Sequence, residues 1–274
     1  MTGNPAQRVP FTGDNTWTAV RAIETSPVHD ADRDPPGVVR IRAANPSPLT
    51  LDGTNTYVVG RWVVDPGPAD PVHIDAVRAA ARDGIEGVAL THSHADHSEG
   101  AVGLGVPVTL PTDNQEVGPF RAIATPGHSA DSVCLLAGGA CFTGDTVLGS
   151  GSVFIAPGEG SLSAYLDSLR RLRQLELEVI CPGHGPYVWQ PRARLDEYIE
   201  HRLDRERRLV EALDRGLREM DELLDAAWSD APRELRSAAA LTLAAHLEKL
   251  AEEGRLPGGV EPGSIRPDRA DERG

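Results

Sequence analysis

Over its first two thirds the chain alternates short apolar runs with turns, and in its last third the apolar positions fall at helical spacing. From Val38 the pattern reads strand-turn-strand: Val38-Val39-Arg40-Ile41-Arg42, then Thr56-Tyr57-Val58-Val59, then Trp62-Val63-Val64-Asp65. Such short β-branched and aromatic runs between turn residues predict β-strands. Asp70-Pro71 opens a helix, with Asp as N-cap and Pro in the first position, that runs to about Asp83 and ends at Gly84. Val88-Ala89-Leu90-Thr91 reads as a buried strand. Short strands continue to Thr143, with a hairpin turn at Gly138-Gly139 that pairs Leu136 with Cys141 and Cys134 with Thr143. After a Gly-rich loop at 149–160, Ser161 caps a helix carrying Leu162, Tyr165, Leu166, Leu169 and Leu172. Val179-Ile180-Cys181 is a further strand.

At Pro191 the composition shifts. Leu195, Ile199, Leu203, Val210, Leu213 and Leu217 recur among many charges and predict one long helix. Asp221 to Trp228 and Ser237 to Glu253 predict two more, so 191–256 reads as a compact helical module, winged-helix-like. Residues 1–36, rich in Pro, Asp and Gly with only Thr18 to Thr25 strand-like, read as a loose arm. Residues 257–274 read as a disordered tail. The main domain is then 37–190.

Chemistry concentrates at the ends of these strands. His92-Ser93-His94-Ala95-Asp96-His97 follows the 88–91 run, and Pro126-Gly127-His128, Gly144-Asp145-Thr146 and Pro182-Gly183-His184-Gly185 follow later ones. Neutral imidazole and carboxylate oxygen are ligands that Zn²⁺ accepts. A single His of this kind most often caps a turn. Seven residues in four ordered motifs are instead a metal site, and their number suggests two metals.

Composition narrows the setting. The 274 residues are 40% hydrophobic, and no run approaches the roughly 18 apolar residues of a membrane span. The first residues have no apolar signal core, and three cysteines suit a reducing compartment, so a cytoplasmic protein is expected. Cys134 and Cys141 are expected to be diagonal neighbours, too far apart for easy bridging. The net charge of −14 counts against non-specific binding to polyanions. A dimetal centre would still be locally positive.

The motif set THxHxDH, PGH, GD and PGHG resembles the metallo-β-lactamase fold superfamily. Further segments are similar to its β-lactamase-like protein 2 branch, near glyoxalase II. They are Asn45-Pro46, Leu51 to Tyr57, Thr125 to His128, Phe142 to Asp145, Tyr165 to Leu169, Pro182 to Pro186 and His246 to Leu250. The resemblance covers roughly residues 38–256. It implies an α/β fold, an αββα sandwich with metals at one edge and a small C-terminal helical, winged-helix-like domain. It also implies that His92, His94 and His128 hold one metal, that Asp96, His97 and His184 hold the other, and that Asp145 bridges them. The expected cofactors are two Zn²⁺, with Mn²⁺ or Fe as alternatives. Aspartate at 145, where true β-lactamases of this fold commonly have Cys, implies an ester-type hydrolase.

Two metals about 3.5–4 Å apart share a water and lower its pKa, presenting hydroxide to a carbonyl or phosphorus. Asp96 is the expected catalytic carboxylate, orienting that hydroxide. The resemblance puts phosphodiester hydrolysis of single-stranded RNA first. Hydrolysis of a small-molecule thioester, as in glyoxalase II and acyl-thioesterases, is the alternative. A partner-binding module with incidental hydrolase activity, a mononuclear iron centre and an inactive fold stand behind them. Oligomeric state stays open. Phe154 in the 149–160 loop is either a pocket wall or a core contact. Asn55 and Thr56 either serve the site or shape a turn. His201, Arg202, Arg205, Arg207 and Arg208 form a basic run, but residues 190–255 carry 12 basic against 16 acidic side chains, so a solvated, salt-bridged helix face is expected.

Overall fold

The computed structural model describes residues 33–258 together with 260, 263 and 265. The strand-like 18–25 and all but the end of the expected arm lie outside these residues. The first sheet contains β1 (Val38–Arg42), β2 (Asn55–Val59) and β3 (Trp62–Val64). After α1 (Pro71–Ala80) comes β4 (Gly87–Ala89), then the short helices α2 (Ala95–Ser98) and α3 (Ala101–Leu104), then β5 (Val108–Thr109). Its order is β1-β2-β3-β4-β5, antiparallel up to β3 and parallel beyond. The second sheet has β6 (Glu116–Val117), β7 (Phe120–Ala124), β8 (Val133–Ala137), β9 (Ala140–Gly144) and, after α4 (Leu162–Leu172), β10 (Val179–Pro182). Its order is β10-β9-β8-β7-β6, with β10 parallel to β9 and the rest antiparallel. Three further α-helices follow: α5 (Pro191–Asp214), α6 (Met220–Ala227) and α7 (Arg236–Glu252).

Strand alternation explains the layering. Val133, Leu135, Ala140, Phe142, Val179 and Cys181 face the first sheet's Tyr57, Val64 and Ala89. The intervening Cys134, Cys141 and Ile180 face outward onto α4 and the start of α5. On the other side Val58, Val63 and Val88 meet Val77 of α1 and Ala101 of α3. Strands β4, β8, β9 and β10 are therefore covered on both faces, which is why they carry no charged residue. Tyr57 and Phe142 meet edge to face, with ring centroids 5.1 Å apart, tying sheet to sheet. The result is the expected αββα sandwich with a C-terminal helical domain.

Local signals held at most element ends. Asp70 accepts from the Val72 N–H at 3.0 Å and Ser161 from the Ala164 N–H at 3.3 Å, each capping its helix. α1 stops at Ala80 rather than about Asp83, because Ala81 leaves helical geometry and Gly84 closes a further turn onto its carbonyl. The β8–β9 hairpin pairs Leu136 with Cys141 as read from the turn. All three cysteines are free and buried.

Two expectations change. The buried stripe of α5 runs through Leu195, Tyr198, Arg202, Arg205, Glu206 and Leu209, not through Leu203, which is 42% exposed. The helix is rotated from its apolar reading because Arg202 and Arg205 lie inside. In the expected disordered tail, Val260 and Ile265 pack into the helical cluster with Leu224, Leu243 and Leu247. Pro257, Gly258 and Gly263 are described as well, and the remaining tail residues lie outside those described. Core membership also switches within α5: Leu195 and Tyr198 belong with the sheet and Leu209 with the helices.

Candidate metal centre

Every motif residue is delivered by a strand end. β4 leads into His92 and His94, and α2 carries Asp96 and His97. His128 follows β7, Asp145 follows β9 and His184 follows β10. The strands are rigid and their ends lie side by side, so residues 92 positions apart in sequence meet. Glycine is required where the loops crowd. A Cβ on Gly183 would stand 2.6 Å from His97 Cε1 and 2.7 Å from Asp145 Oδ1, and one on Gly127 would run into the Tyr165 backbone.

The seven residues form two groups. His92, His94 and His128 converge, with His92 Nε2 at 3.1 Å and His128 Nε2 at 3.0 Å from His94 Nδ1. Asp96, His97 and His184 form the second, with His97 Nε2 3.3 Å from His184 Nε2, and Asp96 Oδ2 3.6 Å and 3.4 Å from those atoms. Asp145 lies between. Its Oδ1 is 3.4 Å from His97 and 3.3 Å from His184, and its Oδ2 is 3.8 Å from His128.

Outer contacts decide what the inner nitrogens can do. His97 Nδ1 meets Asp65 Oδ2 at 3.0 Å, His128 Nδ1 the Phe154 carbonyl at 3.1 Å and His184 Nδ1 the Gly53 carbonyl at 3.3 Å. His92 Nδ1 is 3.0 Å from the Thr91 hydroxyl, whose own proton goes to Asp65 Oδ2 at 2.6 Å. Each acceptor draws the ring proton outward, so the inner nitrogens carry lone pairs. The His97 and His184 lone pairs, 3.3 Å apart, repel unless a proton or a cation lies between them. Ligands about 2.0–2.1 Å from a tetrahedral ion stand roughly 3.3–3.4 Å apart, close to these spacings. Asp145 Oδ1 is buried without a hydrogen-bond donor. The donor set therefore fits divalent metal.

The electrostatics agree. Burial and the neighbouring imidazoles hold His92 and His128 below the ordinary histidine value, so they stay neutral. His97 and His184 would also be lowered by burial, but carboxylates outweigh it, with Asp145 foremost, and push His184 up to about 9. Burial would raise Asp96, yet its His184 contact and the His97 charge bring it to about 2. Asp145 is held well below the carboxylate range by the same two histidines. Protons or metal must balance these acids.

Four supports escaped the sequence reading. Asp65 accepts from Thr91 N, Thr91 Oγ1 and His97 Nδ1, so it is saturated as an orienting group although it clusters with His92 and His97. Its place at a strand end before Pro66-Gly67, with φ of +47°, is the signal that could have found it. The Phe154 and Gly53 carbonyls carry no sequence signal, and Thr91 reads as strand. Asn55 turns out to shape the His184 turn, donating to the Pro182 and Gly185 carbonyls at 3.0 and 2.8 Å. Thr56 bonds the Asp65 carbonyl and His73.

A cavity of about 520 Å³ opens from this centre. His94, Asp96, His128, Asp145 and His184 line one end, and Arg202, Trp228 and Ala239 of the helical domain line it as well. The basic run thus divides. Arg202 and Arg205 are 2% and 5% exposed, which corrects the reading of a wholly solvated face. Arg207 and Arg208 do pair with Asp204 on the surface.

This fold and these motifs define a class, and the comparisons agree: the chain belongs to the metallo-beta-lactamase superfamily of hydrolases. The family model "Metallo-beta-lactamase superfamily" matches residues 107–184, and "Beta-lactamase associated winged helix domain" matches 220–256. The chain is similar to the Beta-lactamase-like protein 2 homolog of Drosophila melanogaster, 31% identical over 80% of this chain and 89% of that protein. It is also similar to an "Atrochrysone carboxyl ACP thioesterase" of Aspergillus chevalieri, 33% identical over 68% of this chain and 69% of that one. A metallo-beta-lactamase family protein from Thermus thermophilus shares the fold, with TM-score 0.68 and 22% identity over 83% of this chain and 97% of the other. Among the described residues no helix is long and apolar enough to cross a membrane.

Proposed function

We propose that this protein is a dinuclear metal-dependent hydrolase of small acyl thioesters. His92, His94 and His128 would hold one ion, Asp96, His97 and His184 the other, and Asp145 would reach both. Two divalent ions there, zinc being the expected pair, supply Lewis acidity and bring the pKa of water towards neutrality. Asp96, half-buried at the cavity and ionised down to about 2, is too acidic for an efficient general base near neutral pH. Its role is to accept a hydrogen bond and orient the attacking water. Asp65 and Thr91 keep His97 and His92 pointed inward.

The cavity carries the choice of substrate. Its volume of about 520 Å³ lies within the range of small-molecule sites. Leu51, Leu148, Val153 and Phe154 from the main domain and Trp228 and Ala239 from the helical domain give it apolar walls that suit an acyl chain. The thioesterase name of the Aspergillus relative points the same way. Single-stranded RNA, which the resemblance puts first, draws less support. The α5 arginines that would meet phosphates are buried or paired with carboxylates, and the chain carries −14.

The test is thiol release from a series of acyl thioesters by metal-loaded protein, beside cleavage of end-labelled single-stranded RNA. Thioester turnover that stops on chelation and returns with metal is expected. RNA cleavage with no thioester turnover would reverse the assignment.

A further inference from the structure

Arg202 lies on the buried stripe of α5, 2% exposed, and lines the cavity that starts at the metal centre. Its partners are neutral: the guanidinium donates to the Val153 carbonyl and stands 5.4 Å from the centre of the Tyr165 ring. The other cations enclosed with it meet carboxylates. Arg205 bonds Asp230 at 2.6 and 2.8 Å, and Lys249 bonds Glu206 and Glu253 at 2.7 Å each. No carboxylate among the described residues forms an ion pair with Arg202. A buried charge without a counter-charge is costly, and a cavity beside it offers a way for one to arrive.

Two donors nearby are also unspent. Arg202 Nε and His201 Nδ1 are buried with no acceptor. Arg205 Nε donates to His201 Nε2 at 3.2 Å, which places the His201 proton on Nδ1. Burial, then Arg202 and Arg205, bring His201 down to about 4, a mark of the positive field there.

We propose that the helical end of the cavity is a carboxylate subsite, in which the far end of the substrate's acyl chain pairs with Arg202 and takes a second hydrogen bond from His201. The preferred substrate is then an ω-carboxyacyl thioester. This rests on the thioester reading above. Both donors are closed to water in their present positions, so the subsite requires one of the two side chains to turn towards the cavity.

Metal-loaded protein is given ω-carboxyacyl thioesters of increasing chain length and the matching neutral acyl thioesters, all on one simple thiol. At one chain length the carboxylated substrate should show a KM at least about tenfold lower, the scale of a hydrogen bond to a charged group. Arg202→Met should abolish that ratio and Arg202→Lys should restore part of it. Calorimetry with the monoamide of the best dicarboxylic acid reads the subsite without hydrolysis. Binding that depends on Arg202, with no thioester turned over, keeps the subsite and removes the thioester reading. Turnover with no preference and no Arg202-dependent binding overturns the proposal and leaves that reading standing. A third series, neutral acyl thioesters of a phosphorylated thiol, is run beside them, and a preference for that series over the carboxylated one also overturns it. Should Arg202→Met fail to fold, the wild-type KM ratio and calorimetry decide alone.

Discussion

Two sets of enclosed histidines in this protein, one at the strand ends and one in the helical domain, are built in opposite ways. At the strand ends His92, His97, His128 and His184 each have the outer nitrogen fixed by a hydroxyl, carboxylate or carbonyl, with acids among their inner neighbours. In the helical domain His246 is fully buried with neither ring nitrogen hydrogen-bonded, against the Trp228 ring, among cations and with Glu206 Oε2 4.0 Å away. His201 has one nitrogen satisfied. Burial by itself therefore does not make a ligand. Outer acceptors and inner carboxylates do, by setting the tautomer and supplying the charge that a metal answers.

The largest effect should come from the acid that faces the cavity. Asp96→Asn keeps the shape of the side chain but removes its charge, and thioester turnover should fall by about 10²-fold as the attacking water loses its orienting acceptor. Steady-state thiol release, with metal content measured on the same samples, checks this. Turnover within a few-fold of wild type at full metal content would remove Asp96 from the reaction and weaken the contrast between the regions.

Acidity separates the two sets next. His201 is near 4 in the folded protein against an ordinary 6.5, so the unfolded chain takes up the proton first. Its contribution to stability is complete above 6.5 and is lost as pH falls towards 4. In metal-free protein His184 behaves in reverse, since its value of about 9 lies above the ordinary one. That contribution is complete below 6.5 and is lost as pH rises through 9. Each amounts to a few kcal/mol. Urea unfolding of chelated protein at a series of pH values should show both slopes, and His201→Phe should flatten only the acidic one. A flat profile on both sides would mean that the neighbouring charges do not act as described.

A smaller effect probes the orienting groups. Asp65→Asn leaves every direct metal contact in place yet weakens the hold on His97 Nδ1, so metal affinity should drop about 10–100-fold in chelator competition. An unchanged affinity would mean that strand geometry alone aims His97.

The extent to which all this was legible follows from where each signal resides. The strand-end ligands announce themselves because imidazoles and carboxylates crowd into loops between apolar runs, and the caps at Asp70 and Ser161 are equally local. Asp65 was missed because its partners are 26 and 32 positions away. The carbonyls of Gly53 and Phe154 belong to a backbone that looks the same at every residue. The helical end of the cavity was hidden for another reason. Arg202 and Arg205 read as surface charge until α5 is seen to bury its 195-198-202-205 stripe.

That stripe yields the smallest test. Arg207 lies on the opposite, solvated side of α5, paired with Asp204 and 3.8 Å from Glu211, and its side chain is 65% exposed. Exposed pairs of this kind contribute little, because water screens them and long side chains lose freedom in holding them. Arg207→Ala should therefore change stability by less than about 0.5 kcal/mol and leave thioester kinetics untouched. Arg205 is two residues earlier, 5% exposed, and joined to Asp230, the Ala227 carbonyl and His201. Its replacement by Ala should cost several times more, since Asp230 and the Ala227 carbonyl lose their guanidinium partner and the Trp228 ring loses its cation contact. Equal losses from the two arginines would show that the helix face, as the apolar pattern alone suggests, is turned the other way.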